Sequence, residues 1–162
     1  MTALAKALAA YRAYHRDPRN VATHAIGIPM IVLAVEVLLS RPVWTSEWGT
    51  LTPAVVVTAL AAFYYLRLDK VLGAAMALVL IAMARLGMEI AQLDTRIWLA
   101  TGLGAFVAGW IFQLVGHKFE RRKPAFIDDL RSLLIGPLFV LAEAAFVLGL
   151  CKDLQREIEA GL

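Results

Sequence analysis

The chain has three histidines, and they are its clearest candidates for metal binding: His15, His24 and His117. Neutral imidazole is a common ligand of Fe(II), Zn(II) and Cu(II). Three protein ligands would leave coordination positions open, which is typical of a catalytic metal site. The alternative is that each histidine is an interfacial anchor or a hydrogen-bond partner. The single cysteine, Cys151, excludes an intramolecular disulfide and a metal site built from several cysteines.

The first two histidines lie nine residues apart in the stretch YHRDPRNVATHAIGIP near the N-terminus. On one continuous helix they would face opposite ways, because nine residues correspond to about two and a half turns. Asp17-Pro18 can break the helix between them, since proline lacks an amide donor and disfavours helix at the preceding residue. Asn20 can cap the helix that follows. We therefore predict that the N-terminal arm folds back and brings His15 toward His24.

The third histidine belongs to the stretch GWIFQLVGHKFERRKPAFIDD, residues 109–129. Gln113 lies four residues before His117 and Glu120 three residues after it, so both are its neighbours on a helix surface. Polar groups that hydrogen-bond a ligating imidazole fix its orientation. The candidates for orienting the three rings are Gln113, Asn20, Glu120 and Asp17. Either Glu120 or a water molecule could complete the metal shell.

The composition indicates a membrane protein. Hydrophobic residues make up 60% of the chain and charged residues 18%, and the mean hydropathy is +0.70, whereas a soluble domain has about 45–50% apolar residues. An unusually apolar soluble helical domain is the alternative, but Ile97–Gly116 contains no charged residue and is long enough to cross a bilayer. We expect an all-α polytopic membrane helix bundle with about five transmembrane helices, at residues 21–40, 51–67, 70–91, 97–116 and 132–151.

The remaining sequence predicts no further domain. Residues 1–20 lack the apolar core of a cleavable signal peptide, and no linker is long enough to separate domains, so 1–162 is interpreted as a single integral membrane domain. Met1–Tyr14 has apolar residues at helical spacing, and we expect an interfacial helix that lies on the membrane surface. The basic residues are dispersed at helix ends, so no nucleic-acid partner is expected. Oligomerisation is left open.

The distribution of positive charge indicates the orientation. The N-terminal arm, residues 67–70 and residues 117–131 carry eleven of the sixteen Lys and Arg residues, and alternate crossing by five spans places these segments on one side. Because cytoplasmic loops carry an excess of Lys and Arg, we expect His15, His24 and His117 to lie together at the cytoplasmic face. The membrane would be the cytoplasmic membrane of a bacterium, or that of the endoplasmic reticulum in a eukaryote.

The two histidine stretches together resemble a known family. Tyr14–Pro29 has the form Y-H-x-x-P-x-N-x-x-x-H-x-x-x-x-P, and the second stretch contains G-W-I-F-Q-L-V-G-H-K-F-E-R-R-K-P-A. Both resemble motifs of the 2-hydroxy fatty acid dioxygenase family, which includes a fungal endoplasmic-reticulum protein of phytosphingosine breakdown. The likeness runs from about Ala10 to Leu150, with one residue fewer between His117 and Glu120 than in the fungal member.

The resemblance implies an Fe(II)-dependent dioxygenase that needs no 2-oxoglutarate. It would convert a long-chain 2-hydroxy fatty acid to the one-carbon-shorter acid by α-oxidation, consuming O₂ and releasing CO₂. The family's histidines correspond to His15, His24 and His117, which become the proposed ligands of Fe²⁺.

A 2-hydroxy acid suits such a centre, because its carboxylate and hydroxyl can both chelate iron. Three imidazoles and two substrate oxygens leave one position for O₂, whose spin barrier iron overcomes. A cationic side chain would hold the carboxylate. Arg121 ranks first because it lies four residues from His117 on the same face, ahead of Arg122 and Arg16. The acyl tail would lie among the membrane spans.

The residues are also compatible with two other functions. The chain could be a non-catalytic membrane protein that binds metal or lipid, or a small transporter, with charged residues of the spans as its pathway: Arg85, Glu89 and Glu143. It could also be a zinc hydrolase with Glu120 as general base.

Overall fold

The computed structural model describes residues 1–47, 49–121 and 124–161, and helices account for most of them. The helices are α1 (Ala3–Tyr14), α2 (Pro18–Leu39), α3 (Pro53–Leu68), α4 (Lys70–Ala91), α5 (Thr95–Glu120), α6 (Ser132–Val147) and α7 (Lys152–Glu159). A single 3-10 turn, Ala125–Ile127, lies between α5 and α6 in the described chain. The prediction of an all-α protein is confirmed.

The described residues also contain one short hairpin that the sequence analysis did not predict. Its strands are β1 (Trp44–Ser46) and β2 (Gly49–Leu51), paired antiparallel with Trp44 opposite Leu51. All six strand residues are exposed. The hairpin therefore connects α2 to α3 without contributing to a core.

Helix length revises the number of membrane spans. Helices form at all five predicted spans, but only α2, α4 and α5 among the described helices are long and apolar enough to cross a membrane. α3 and α6 have 16 residues each, about 24 Å of helix, which is shorter than the ~30 Å hydrocarbon core. α6 and α7 would form a fourth span only as a pair bent by 114°. By length and composition, three of the five predicted spans are therefore candidates for crossing a membrane, or four with the bent pair.

The chain divides into two compact units, residues 1–28 with 111–162, and residues 29–110. In the second unit, Asp69 ends α3 and caps α4, since its carboxylate accepts a hydrogen bond from the amide of Leu72 at 2.7 Å. The helices α3 and α4 therefore follow each other as a tightly connected pair. Every described residue of the predicted site lies in the first unit.

In the first unit, α1 packs against α6 and α7. Thr2 begins α1 by accepting from the amide of Ala5 at 3.1 Å, and it also contacts Glu157 of α7. Leu4 and Leu8 on the apolar face are completely or almost completely buried. The face that was expected to rest on membrane lipid is covered by protein instead, because α6 and α7 offer it an apolar surface within the same chain.

Candidate metal centre

The turn between α1 and α2 brings the first histidine into place. α1 ends at Tyr14, His15 follows as its C-cap, and α2 begins at Pro18, so the predicted break is confirmed. The predicted cap is wrong: α2 begins three residues before the expected start, and the Asp17 carboxylate accepts from the amide of Arg19 at 2.9 Å. That amide and the Arg19 guanidinium lower the pKa of Asp17.

The three histidines converge in space. The ring centroids of His15 and His24 are 4.5 Å apart, those of His24 and His117 are 4.9 Å apart, and those of His15 and His117 are 5.2 Å apart. One nitrogen from each ring lies within 4.8 Å of the other two. The side chains are only 2%, 1% and 7% exposed in chain order. A cluster of this kind could hold a metal ion.

Backbone carbonyls fix the orientation of two of these rings. Nδ1 of His15 lies 2.7 Å from the carbonyl oxygen of Tyr11, and Nδ1 of His24 lies 2.9 Å from that of Asn20. Since a carbonyl only accepts, each Nδ1 carries the proton and each Nε2 keeps its lone pair. The Tyr11 ring also stacks on His15, with centroids 4.1 Å apart. Each ring is held from the turn of helix that precedes it.

Two nitrogens of the cluster have no hydrogen-bond partner among the described residues. Nε2 of His15 and Nδ1 of His117 are buried and accept no hydrogen bond from any described residue. A buried polar atom without a partner costs about 1–3 kcal/mol, and a bound metal would remove that cost. Burial also lowers the pKa of His15, which outweighs the opposing effects of the Tyr11 carbonyl and Glu120. His15 is therefore neutral at pH 7, the form that binds metal.

Gly116 lets α5 approach α2 at the level of the histidines. A Cβ atom at this position would overlap with Oγ1 of Thr23 and Oδ1 of Asn20, and would lie 3.0 Å from Nδ1 of His24. Any side chain larger than hydrogen would therefore displace these α2 side chains or α5 itself. The glycine that directly precedes His117 sets the spacing of the cluster.

Glu120, the last residue of α5, holds the turn that carries His15. Its carboxylate accepts from the amides of Arg16 at 3.0 and 3.1 Å and of Asp17 at 2.9 Å, and from Nδ2 of Asn20 at 3.0 Å. These bonds connect the end of α5 to the start of α2. Both oxygens face the turn, so the structure places Glu120 as a positioning group.

We expect Glu120→Ala to loosen this turn. Hydrogen bonds to a charged group contribute about 1.5–3 kcal/mol, and disturbing the groups around metal ligands weakens metal binding by about 10–100-fold. Thermal unfolding in detergent and a metal titration measure both effects. The matched control is Glu47→Ala, because Glu47 is exposed in the hairpin turn. Unchanged metal affinity in Glu120→Ala would contradict the positioning role.

The other predicted orienting residues have different surroundings. Asn20 supplies the carbonyl that orients His24 and donates its amide to Glu120. Gln113 is buried one helical turn before His117, and its Nε2 has no hydrogen-bond partner among the described residues. The Asp17 carboxylate bonds Arg19 rather than an imidazole, through Nε at 3.1 Å and Nη2 at 2.8 Å.

A cavity of about 460 Å³ opens beside His15. Its apolar lining comes from Pro18, Val21 and Phe139, and its charged lining from Arg12, Arg16 and Glu143. The volume falls in the range of small-molecule sites, about 300–1,000 Å³. The cavity thus places charged groups and an apolar wall next to the histidine cluster.

The two described arginines that were predicted to hold a carboxylate line different cavities. Arg16 lines the cavity beside His15. Arg121 lines another cavity, of about 510 Å³, with Arg19 and Lys118. Its predicted place on the face of His117 assumed a continuous helix, but α5 ends at Glu120 and Arg121 has a φ of 56°. Arg122 lies outside the described residues.

Two charged residues of the cavity, Arg12 and Glu143, were not predicted as part of the substrate site. Nη1 of Arg12 lies 3.4 Å from Oε1 of Glu143. The sequence contained a signal for Arg12, since it precedes His15 by three residues on a helix-prone segment. No local pattern indicates that Glu143 would lie opposite it, because that contact depends on how α6 packs on α1.

Comparisons with known proteins agree with the histidine motifs. A family model described as "2-hydroxy-palmitic acid dioxygenase Mpo1-like" matches residues 1–148. The chain is 34% identical over 156 residues to the protein named "2-hydroxy-palmitic acid dioxygenase MPO1" of Saccharomyces cerevisiae, covering 94% of this chain and 85% of the yeast protein. No solved structure matches the chain significantly.

Proposed function

The chain belongs to the Mpo1-like family of 2-hydroxy-palmitic acid dioxygenases, and from this membership we propose that it oxidises long-chain 2-hydroxy fatty acids. The products are the one-carbon-shorter fatty acid and CO₂. The observation that carries the proposal is the buried cluster of His15, His24 and His117 within the matched region. In this cluster, Nε2 of His15 and Nδ1 of His117 have no hydrogen-bond partner among the described residues.

The proposed reaction balances without a second organic substrate. The carboxyl carbon of the 2-hydroxy acid leaves as CO₂, and the carbon that bears the hydroxyl becomes the new carboxyl carbon. This oxidation releases four electrons, which is the number needed to reduce one O₂. Water is the remaining product, so no 2-oxoglutarate is required.

We propose Fe²⁺ as the metal held by His15, His24 and His117. The donor set fits, because neutral imidazole suits Fe(II) and three ligands leave positions for substrate and O₂. When bound, iron supplies the chemistry that lets O₂ react with a spin-paired substrate. The chain's own contribution is to keep the rings neutral and oriented through the carbonyls of Tyr11 and Asn20.

The remaining residues bind and position the substrate. The acidic head group occupies the cavity beside His15, where Arg16 adds positive charge. The acyl chain leaves along the apolar wall formed by Val21 and Phe139. Arg121 and Arg122 remain predictions for carboxylate binding, and the position of Arg121 in a separate cavity argues against it. Asn20 and Glu120 act by holding the turn.

We further propose that the protein is integral to a membrane, with the histidine cluster at the cytoplasmic face. Because His24 near the start of α2 contacts His117 near the end of α5, the chain must cross an even number of times between these points. α2 and α5 account for two crossings, so α3 and α4 either both cross or enter and return together. The charge distribution then favours the cytoplasmic side of a bacterial membrane, or the endoplasmic reticulum in a eukaryote.

The structure gives less support to the other functions. Arg85 and Glu89 are exposed on α4, where pathway residues of a transporter would be expected to face the interior. Glu120 is engaged by the amides of the turn, so it is poorly placed to activate water as the base of a zinc hydrolase.

Product analysis tests the proposed reaction. Protein purified anaerobically, loaded with Fe²⁺ and exposed to O₂ with 2-hydroxypalmitic acid is expected to give pentadecanoic acid and CO₂ in equal amounts. Palmitic acid, which lacks the 2-hydroxyl, is the control and should give neither. No product under argon is expected, because O₂ is the electron acceptor. Product formation under argon, or none under O₂ from metal-loaded protein, contradicts the proposal.

A further inference from the structure

Arg12 and Glu143 form an incomplete ion pair inside the cavity beside His15. Nη1 of Arg12 lies 3.4 Å from Oε1 of Glu143, and both atoms are buried. Neither atom makes a hydrogen bond with any described residue. A guanidinium and a carboxylate that bind each other well do so at about 2.7–2.9 Å, often through two parallel bonds. The two facing atoms, Nη1 of Arg12 and Oε1 of Glu143, therefore balance charge without a hydrogen bond between them.

The location of Arg12 suits a ligand that reaches the histidine cluster. Arg12 lies one helical turn before His15, and both line the cavity. His15 Nε2 is buried without a partner. The lining of the same cavity also includes apolar side chains, those of Val21 and Phe139. A ligand with an anionic head and an apolar chain matches this combination of charge, unpaired donors and apolar surface.

Arg12 is better placed than Arg16 for this purpose. Arg16 also lines the cavity, but its side chain is exposed, where water weakens its attraction for an anion. Arg12 has a side chain only 30% exposed, and its Nη1 is buried. Charge-assisted hydrogen bonds are stronger where water is excluded.

We infer that Arg12 binds the carboxylate of the 2-hydroxy acid, and that Glu143 is the competing anion that holds Arg12 when the cavity is empty. This inference rests on the proposed function for the identity of the acid. The guanidinium turns its free donors to the substrate carboxylate, and the hydroxyl-bearing carbon lies toward the histidines. A ligand carboxylate must compete with Glu143 for Arg12, so only a ligand that makes further contacts in the cavity binds tightly. The pair is therefore a specificity determinant.

Opposite effects of two substitutions test the inference. Equilibrium binding is measured under argon with the Fe²⁺-loaded protein, using 2-hydroxypalmitic acid and, as a ligand without a carboxylate, hexadecane-1,2-diol. Arg12→Gln is expected to weaken binding of the acid about 10- to 100-fold and to leave the diol unchanged. Glu143→Gln is expected to tighten binding of the acid about two- to fivefold. Arg96→Gln, an exposed arginine at the start of α5, is the matched control.

The outcomes separate this inference from the proposed reaction. Equal weakening of acid and diol in Arg12→Gln, or unchanged binding of the acid, overturns the role of Arg12 even if the wild-type protein forms pentadecanoic acid. Selective loss of acid binding supports Arg12 even if no product forms, in which case the reaction alone is wrong. Should Arg12→Gln fail to fold, Arg12→Lys and Glu143→Gln provide the same contrast. Arg12→Lys keeps the charge but loses the planar pair of donors, so an intermediate affinity is expected and wild-type affinity overturns the inference.

Discussion

Replacement of His24 by alanine is expected to remove the bound metal and to lower turnover at least about 100-fold. The chain contains three histidines, and all of them belong to the cluster. The only cysteine, Cys151, is exposed and lies outside it. No imidazole elsewhere can replace the lost ligand, and altering even the groups that support a ligand costs about 10–100-fold. Metal content after anaerobic purification should fall from about one ion per chain to nearly none.

The control for this substitution directly follows the same helix. Ser40 is completely buried near the end of α2, and its hydroxyl donates to the carbonyl of Glu36 at 2.7 Å. Ser40→Ala should keep its metal, because this contact is far along the helix from the histidines. His15→Ala and His117→Ala should behave like His24→Ala. Full metal content in any of the three histidine variants, with the fold intact, would rule out the three-histidine site.

Substitution of Gly116 by alanine is the second change with a large expected effect. The added methyl group would meet side-chain atoms of Thr23, Asn20 and His24 on α2. Either these side chains or α5 must then move, and both changes disturb the histidine cluster. Overpacking of this kind typically costs about 1–3 kcal/mol. We expect a lower unfolding temperature in detergent together with metal affinity reduced at least about tenfold. Differential scanning fluorimetry and metal titration on the same sample measure the two quantities.

Gly104 provides the matched control on α5. It is exposed, and a Cβ atom there would meet nothing within 4 Å. Gly104→Ala should therefore be neutral or stabilise the helix by up to about 1 kcal/mol, since alanine favours helix over glycine. If both alanine variants bind metal equally well, close approach of α5 to α2 is not what assembles the cluster.

Much of the site could be predicted from residue types and from their local effects on the backbone. Proline at position 18 favours a break, because its ring and missing amide donor disfavour a helix that continues through it from Asp17. The break gives His15 the freedom to turn back toward His24. The apolar segments and the basic flanks predict that the stretch around His117 lies at the same membrane face. Residue types and helical geometry were therefore sufficient to predict which three side chains meet.

The tertiary structure decided which partners surround them. The sequence showed an apolar face on α1 but could not distinguish lipid from α6 and α7 as its cover, since burial against either is favourable. Glu120 was recognised as a neighbour of His117, yet its bonds to the turn depend on where α5 ends.

Helix ends and packing also explain why the predicted carboxylate-binding arginine, Arg121, differs from Arg12, the arginine that lines the cavity beside His15. Arg121 would share a face with His117 if the helix continued. Instead, α5 ends at Glu120 and Arg121 itself has a left-handed backbone conformation. Arg12 lies in the cavity with Glu143 because α1 packs on α6. Sequence alone thus predicted the three histidines that cluster, which lie within regular helices or at a proline break. Only the tertiary structure determined the groups beside them, because those contacts join segments far apart in the chain and change when a helix ends one residue earlier.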